Sequence, residues 1–384
     1  MSKSKLIGAA TMVAGTSIGA AMIAMPVSAA KIGFFNTCIL LLIISFVMYY
    51  VAQIALQIYR ITDSNNTMSK IASEVLGKPF AVICSAATLI LLYSLLVAYI
   101  SGLSEIAYNT IENDYIINVI SLSLVLFLSL GFSNKLIDYY NRVVFFLKII
   151  CMIGMIGILL PNISTTQLMS SNAVMTDNIG IMQILTVFVT AFGFHAGIPF
   201  IYKFLNNDYK LYKQSVFYGV VATFVIYIIW IVMVFGIVLQ NNLFMANDSI
   251  SDLITLLSHN VQNSKLGQSI MYFVVLAILT SLLGVAISVF DFIEEFLKYK
   301  FNFSNRFIAS GITFVPPTLF AISNKSLFIK ALGLAGCCLT ILAIIIPCLI
   351  RSKLYSDSEE YNPLLLWSCF CIGILTIVGE LLTL

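Results

Sequence analysis

The sequence predicts an all-α polytopic membrane protein of about eleven transmembrane helices, ten of them forming two inverted five-helix units in which helices 1 and 6 are interrupted. Three observations predict it. The 384 residues are 60% hydrophobic and 10% charged, against about 45–50% apolar and about 25% charged in soluble domains. Apolar stretches of about 20 residues, the length that crosses about 30 Å of hydrocarbon, recur with short polar breaks between them. Two of those stretches carry paired glycines near their midpoints, five spans apart.

Span 1 covers residues 7–30 and follows Lys3 and Lys5. A secretory signal also begins with basic residues, and this run ends in the small residues Ser28, Ala29 and Ala30. The apolar core of a signal is only about 7–15 residues long, however, so span 1 reads as a transmembrane helix. Spans 2 and 3 cover 34–59 and 80–103, joined by a link with Arg60, Lys70 and Lys78. Spans 4 and 5 cover 116–132 and 143–160, with Lys135 and Arg142 between them. Spans 6 and 7 cover 181–202 and 216–239 around Lys203, Lys210 and Lys213. Spans 8 and 9 cover 269–292 and 307–322 around Lys298, Lys300 and Arg306, and span 10 covers 329–350 ahead of Arg351 and Lys353. Span 11 covers 364–384. The chain reads as one transmembrane domain over 1–384, with repeats at about 7–160 and 181–350 and span 11 outside them.

Lys and Arg concentrate on one side of this arrangement. Fifteen fall on the side of the N-terminus and four (Lys31, Lys265, Lys325, Lys330) on the other, with Lys148 inside a span. The positive-inside bias puts the N-terminus in the cytoplasm and, with an odd number of spans, the C-terminus outside. The net charge of +3 is a topology signal and gives no reason to expect nucleic acid. No obligatory protein partner is evident; membrane lipid is the surrounding partner. All eight cysteines lie in or at the ends of apolar segments, and Cys337-Cys338 and Cys369-x-Cys371 lack the spacing and histidines of a metal site. They read as small hydrophobes.

The stretch AGTSIGA at 14–20 interrupts span 1 with Gly15 and Gly19, and FGFHAGIP at 192–199 interrupts span 6 with Gly193 and Gly197. Glycine four residues from glycine also marks simple helix packing. Here, however, the breaks occupy corresponding spans of the two units, with Gly15 and Gly193 lying 178 residues apart, and Pro26 and Pro199 follow them. Five spans per unit is odd, so the second unit runs inverted. Matching interrupted helices in two inverted halves point to the central site of a secondary transporter, because irregular backbone at that depth must face protein or a water-filled cavity. Unwinding frees amides and carbonyls. A half-helix N-terminus attracts an anion, while freed carbonyls accept from an ammonium group or a cation, so a zwitterion such as an amino acid satisfies both.

At these residues the chain resembles the bacterial hydroxy/aromatic amino acid permeases, which include the tyrosine- and tryptophan-specific permeases, within the amino acid-polyamine-organocation superfamily. The matching stretches are VAGTSIGAAMIAMP (13–26), AYISG (98–102), NRVVFFLKII (141–150), FGFHAGIP (192–199), TSLLGVAISVFDF (280–292), ITFVPP (312–317) and ALGLAG (331–336), in family order over almost the whole chain. The resemblance implies a LeuT-type fold of ten core helices plus an eleventh, an aromatic amino acid as substrate, the bacterial inner membrane as location, and no cofactor beyond a coupling ion. One position departs from the family: Ala21 stands where glycine is usual, and its methyl group bears on how closely backbone and substrate approach.

The substrate site is expected at Ala14, Gly15, Thr16, Ser17, Ile18 and Gly19 of span 1 and Gly193 of span 6, with Tyr99, Phe192 and Phe194 walling an aromatic pocket and Ser281 facing the span-1 break. His195 reads equally as a hydrogen-bond donor to substrate, a proton relay or a cap on freed carbonyls. Lys148, about one and a half turns inside span 5, either snorkels to the cytoplasmic surface or, as the resemblance implies, places its ammonium beside span 1 where sodium-coupled relatives hold their ion. The second reading favours a proton as coupling ion. His259 reads as solvated, Asp291 as a gate hydrogen bond or a solvated helix end, Glu105, Glu294 and Glu295 as membrane-end residues, and Glu380 in span 11 receives no role. An exchanger or a sodium-coupled symporter of the same fold is the alternative. A channel would require a repeated charge ring or carbonyl filter, and an intramembrane enzyme pairing Ser17 with His195 lacks a nucleophile turn.

Overall fold

A computed structural model describes residues 2–62, 67–132, 134–171, 178–245, 249–261, 264–302, 305–325, 327–354 and 362–382. Among them, helices are the only regular elements, as expected where hydrocarbon forces each segment to satisfy its own backbone. Span 1 is split into α1 (Ser2–Ser17) and α2 (Ala21–Ala29), and span 2 is α3 (Gly33–Ile61). A short link helix, α4 (Met68–Val75), precedes α5 (Lys78–Ile111), α6 (Tyr115–Phe132) and α7 (Asn134–Leu159), which are spans 3 to 5. After α8 (Thr165–Ser170), span 6 is split into α9 (Asn178–Ala191) and α10 (Ile198–Phe204), and span 7 is α11 (Tyr209–Ile237). Two helices in the following link, α12 (Gln240–Met245) and α13 (Ile250–Asn260), lead to α14 (Ser264–Phe301) and α15 (Arg306–Ser323), spans 8 and 9. Span 10 is α16 (Phe328–Thr340) and α17 (Ile346–Lys353), and span 11 is α18 (Pro363–Leu381). Among the described residues, ten helices are long and apolar enough to cross a membrane, or eleven when α1 and α2, bent by 55° at their junction, count as one span. The protein is thus a multi-pass membrane protein.

The expected spans are all present, but several helices run past the polar residues that mark their expected ends. Helix α5 continues to Ile111, which carries Glu105 into a packed interior, and α14 continues to Phe301, nine residues beyond the expected end. Hydropathy marks where lipid ends, whereas a helix stops only when its backbone finds other partners. Asp208 provides such a start signal, its side chain accepting from the Leu211 amide at the head of α11 (3.0 Å). Where proline interrupts α15, a side chain repairs the ladder: Pro316 cannot bond the Ile312 carbonyl, and the Tyr93 hydroxyl donates to it instead (2.7 Å). Residues 341–345 of span 10 widen into a π-type turn just before Pro347, a usual response to a proline inside a helix.

Packing follows the inverted repeat. Exchanging each span of the first unit with its counterpart in the second maps span 3 on span 10 (α5 with α16) onto span 8 on span 5 (α14 with α7), and both are among the most extensive interfaces in the molecule. Span 4 on span 9 (α6 with α15) maps onto itself. Another large interface, α1 against α11, is pinned at Gly219: a Cβ there would lie 2.5 Å from Val13 Cβ and 2.9 Å from the Ala10 carbonyl, so only glycine admits α1 this closely. Outside this core, large apolar side chains such as Phe46, Val82, Leu124, Phe146, Ile153 and Leu319 remain exposed, a surface that suits lipid and not water.

Candidate functional site

The two breaks meet at the centre of the bundle. In span 1 the backbone leaves the helix at Ile18–Ala20, not across the whole AGTSIGA stretch. Ala14, Gly15, Thr16 and Ser17 are helical, a correction with a local cause. The Thr16 hydroxyl donates to the Met12 carbonyl (2.8 Å) and the Ser17 hydroxyl to the Val13 carbonyl (2.9 Å), the back-bonding by which hydroxyl residues are accommodated inside a helix. In span 6 the helix ends at Ala191, passes through Phe192 and Gly193, and resumes as a single tight turn over Phe194–Gly197 before α10.

The Ile18 carbonyl, freed at the span-1 break, has found a side chain. Lys148 Nζ donates to the Ile18 carbonyl at 3.0 Å, with the ammonium 4.8 Å from the Phe145 ring centre. Helix α7 begins at Asn134, so Lys148 lies about four turns from its start and is 2% exposed. Snorkelling is therefore overturned: a lysine that deep, bonded to interior backbone, does not reach a membrane surface. On the following residues, the Ala20 amide donates to Ser281 Oγ (3.3 Å), whose hydroxyl in turn donates to the Ala277 carbonyl within α14 (3.1 Å). Tyr99 Oη lies beside Ser281. Spans 1, 3, 5 and 8 thus converge on three residues of unwound backbone.

A residue that sequence reasoning missed joins the two breaks. Tyr227, in the middle of α11 and fully buried, places its hydroxyl 2.6 Å from the Ser17 carbonyl and 2.6 Å from the Ala191 carbonyl, the last helical carbonyls before each break. One phenolic proton serves both acceptors, so this contact fixes the spacing of the breaks. Nothing in its surroundings, IYIIWIV, distinguishes it from ordinary span residues. The Phe192 ring meets it edge to face, with centroids 5.3 Å apart. Tyr227→Phe leaves two buried carbonyls short of a donor, at about 1–3 kcal/mol for an unpaired group. Its midpoint of thermal unfolding in detergent should therefore fall below that of the parent chain; equal midpoints would show that the hydroxyl does not hold the breaks.

The remaining predicted residues divide. Gly15, Gly19, Gly193 and Ser281 keep part of their surface open, and Thr16 is exposed, whereas Ser17, Ile18, Tyr99, Phe192, Phe194 and His195 are buried. His195 lies between the span-6 break and α3, with the Phe192 backbone of the break also beside its ring. Its Nε2 lies 3.0 Å from the Met48 carbonyl in α3, and its ring stacks on Phe194 with centroids 4.3 Å apart. Ala21 is buried at the head of α2. His259 is exposed in the last turn of α13, and Asp291 is exposed on α14, ten residues before that helix ends. Glu294 pairs with Lys298 (3.2 Å). Glu380 is buried and accepts from the Thr186 hydroxyl of α9 (2.8 Å), tying span 11 to the split span 6. Among the described residues, no group of three or more histidine, cysteine or acidic side chains is placed to hold a metal ion.

The chain matches known proteins along its length. A tyrosine-specific transport system of Haemophilus influenzae is 31% identical, the match covering 89% of this chain and 86% of the relative. A tryptophan-specific transport protein of the same organism is 27% identical over 98% and 94%, and a glutamine transporter of Aliivibrio fischeri is 27% identical over 93% and 92%. Among solved structures, the manganese transporter of Eremococcus coleocola superposes with a TM-score of 0.63 at 11% identity, covering 99% of this chain and 86% of that one. A nucleobase-cation-symport-1 family transporter in a closed, ligand-bound conformation gives 0.60 at 11% identity, covering 98% and 90%. Both carry the LeuT-type fold, which is therefore the fold of this chain. A model of the tryptophan/tyrosine permease family matches residues 2–381. With the inverted packing and the paired helix breaks, these matches make the chain a membrane transporter and not an enzyme: it belongs to the tryptophan/tyrosine permease family.

Proposed function

We propose that the chain imports an aromatic amino acid, tyrosine, tryptophan or phenylalanine, across a bacterial inner membrane by proton symport with alternating access. The observation that carries the reading is the Lys148 ammonium on the Ile18 carbonyl. A fixed positive charge at the unwound part of span 1 supplies from the protein what a bound sodium ion would supply from solution, so the coupling ion is a proton. The backbone left around Gly19 and Gly193 offers polar groups for the carboxylate and ammonium of an amino acid. Phe192, Phe194, Tyr99 and Tyr227 provide aromatic walls near them. The names of the tyrosine- and tryptophan-specific relatives support the substrate class. The excess of Lys and Arg on the side of the N-terminus supports a cytoplasmic N-terminus and an external C-terminus.

Uptake of labelled tyrosine or tryptophan into proteoliposomes tests this directly. Accumulation should require an inward proton gradient and collapse when a protonophore dissipates it. Accumulation driven by sodium with no response to pH, or one-for-one exchange alone, would replace proton symport with the corresponding alternative. The glutamine transporter among the relatives motivates a second substrate reading. Excess glutamine should leave tyrosine uptake unchanged if aromatic walls select the substrate, and strong competition by glutamine would transfer selection to the backbone contacts alone.

A further inference from the structure

Spans 3, 4 and 8 leave a groove between them near the end of the bundle at which α5 turns back into α6. The groove has a volume of about 370 Å³, within the range of about 300–1,000 Å³ typical of small-molecule sites. Its lining is mostly apolar, contributed by Leu122 and Val125 of α6 and by Val275 and Leu279 of α14. Two polar atoms interrupt it. Ser104 of α5 is 1% exposed and its hydroxyl has no hydrogen-bond partner among the described residues; the same holds for the buried carboxamide nitrogen of Asn118 on α6. Ser121, which also lines the groove, already donates to the Asn118 carbonyl at 3.1 Å. Buried polar groups normally have partners, and leaving one unpaired is costly. Ser104 and Asn118 therefore call for a ligand that brings polar atoms into an oily cleft.

Depth narrows the class of ligand. Asn118 stands three residues after the start of α6 and Ser104 seven before the end of α5, which places them about 5 Å and about 10 Å below the helix ends. The polar layer of a bilayer is about 5–8 Å thick on each side of its hydrocarbon, so both atoms lie near the boundary where acyl chains meet their ester groups. The groove is also continuous with the lipid-facing surface, since Val125 in its lining is 61% exposed beside the exposed Leu124. Charges at its mouth have both signs. Glu112 and Asp114 are exposed in the link between α5 and α6. The Lys325 ammonium sits over the rings of Tyr108 (4.0 Å) and Tyr115 (5.9 Å), each one turn from a groove residue, Ser104 and Asn118 respectively. A basic cluster of the kind that selects anionic headgroups is not what these residues form; they offer anions for an ammonium and one cation for a phosphate.

We infer that the groove between spans 3, 4 and 8 is a binding site for one zwitterionic phospholipid with an ammonium headgroup, of the phosphatidylethanolamine type. An acyl chain lies along the apolar lining, its ester carbonyl accepts from the Asn118 carboxamide and the Ser104 hydroxyl, and the headgroup meets the charges at the mouth. The site adjoins the transport machinery, because Ser104 follows Tyr99 on α5 by five residues and Leu279 precedes Ser281 on α14 by two. The inference rests on the groove alone and is independent of the substrate and the coupling ion.

Native mass spectrometry of the full chain in detergent, titrated with dioleoyl-phosphatidylethanolamine or dioleoyl-phosphatidylglycerol, tests it. One phosphatidylethanolamine should bind saturably and roughly fivefold more tightly than phosphatidylglycerol, the ratio expected for one charge contact near a membrane surface. Asn118→Leu, which keeps the side-chain shape and removes the donor, should weaken phosphatidylethanolamine roughly fivefold. Val125→Trp fills the groove from an exposed position and should weaken both lipids by roughly tenfold or more. Glu112→Gln, at the mouth, should narrow the preference between the lipids. Unfolding midpoints without added lipid, equal to that of the parent chain, establish that each variant is folded. Phosphatidylethanolamine binding that is unchanged in folded Asn118→Leu or folded Val125→Trp overturns the site, as does binding in the parent chain that never saturates or that favours phosphatidylglycerol.

Discussion

Gly19→Leu should reach the membrane in normal amount and lose transport by roughly 100-fold or more. An added Cβ at Gly19 would sit 2.8 Å from Ser281 Oγ, closer than any ordinary contact. That oxygen cannot step aside freely, because it accepts from the Ala20 amide and its hydroxyl is anchored to the Ala277 carbonyl. The leucine branch beyond the Cβ must then enter the open side of the break, where the proposed substrate meets bare backbone. Overpacking of this kind costs about 1–3 kcal/mol, and about 3 kcal/mol corresponds to roughly 100-fold. Gly15 supplies the internal comparison. A Cβ there would meet only the Phe145 ring at 3.7 Å, an ordinary contact, and the residue is helical, so Gly15→Ala should transport close to the parent rate. Uptake by membrane preparations with matched protein levels decides the matter. Equal behaviour of the two variants would mean that both glycines serve helix packing and that the break is not the substrate site.

The difference between these glycines marks the limit of what the sequence revealed. Composition and span length exposed every membrane helix, and the five-span offset between the broken helices exposed the inverted architecture, since hydrocarbon leaves few alternatives for an apolar segment. The AGTSIGA stretch located the span-1 break to within a turn. Which of its residues unwinds depends on Thr16 and Ser17 finding carbonyls one turn back, a choice made by local geometry. The side-chain partners were less legible. Lys148 stands out in the sequence because a lysine in hydrocarbon is costly, but its acceptor, Ile18, is a backbone carbonyl 130 residues away that no pattern identifies. Tyr227 carried no signal at all, being one aromatic residue in an aromatic-rich span, and its role arises only when two breaks face the same hydroxyl. Glu105 reads in the sequence as a membrane-end residue because the hydropathy of span 3 fades near it, whereas α5 continues for six more residues beneath α13. For His195 the glycine-rich break leaves substrate contact, proton relay and carbonyl cap equally open, and the acceptor its ring meets, the Met48 carbonyl of α3, is again one that no pattern identifies.

Lys148→Ala should abolish gradient-driven accumulation while leaving the protein folded and able to bind substrate weakly. The ammonium is the charge that ties span 5 to the unwound part of span 1, so its removal disconnects occupation of the break from movement of the scaffold, the coupling on which accumulation depends. A hydrogen bond from a charged group contributes about 1.5–3 kcal/mol, which corresponds to a loss of roughly 10- to 100-fold in coupled uptake. The alanine variant alone does not separate a fixed cation from a proton carrier, but Lys148→Arg does. Arginine stays charged at every working pH and can donate to the Ile18 carbonyl. If Lys148 only holds span 1, the arginine variant should retain pH-driven uptake at a reduced rate. If the lysine itself carries the transported proton, the arginine variant should lose pH-driven accumulation and keep exchange of substrate for substrate, because exchange requires no net proton movement. Measuring both activities in the same proteoliposomes separates these outcomes. Accumulation by Lys148→Ala equal to that of the parent chain would return the Ile18 contact to a structural role and move the coupling group elsewhere in the bundle.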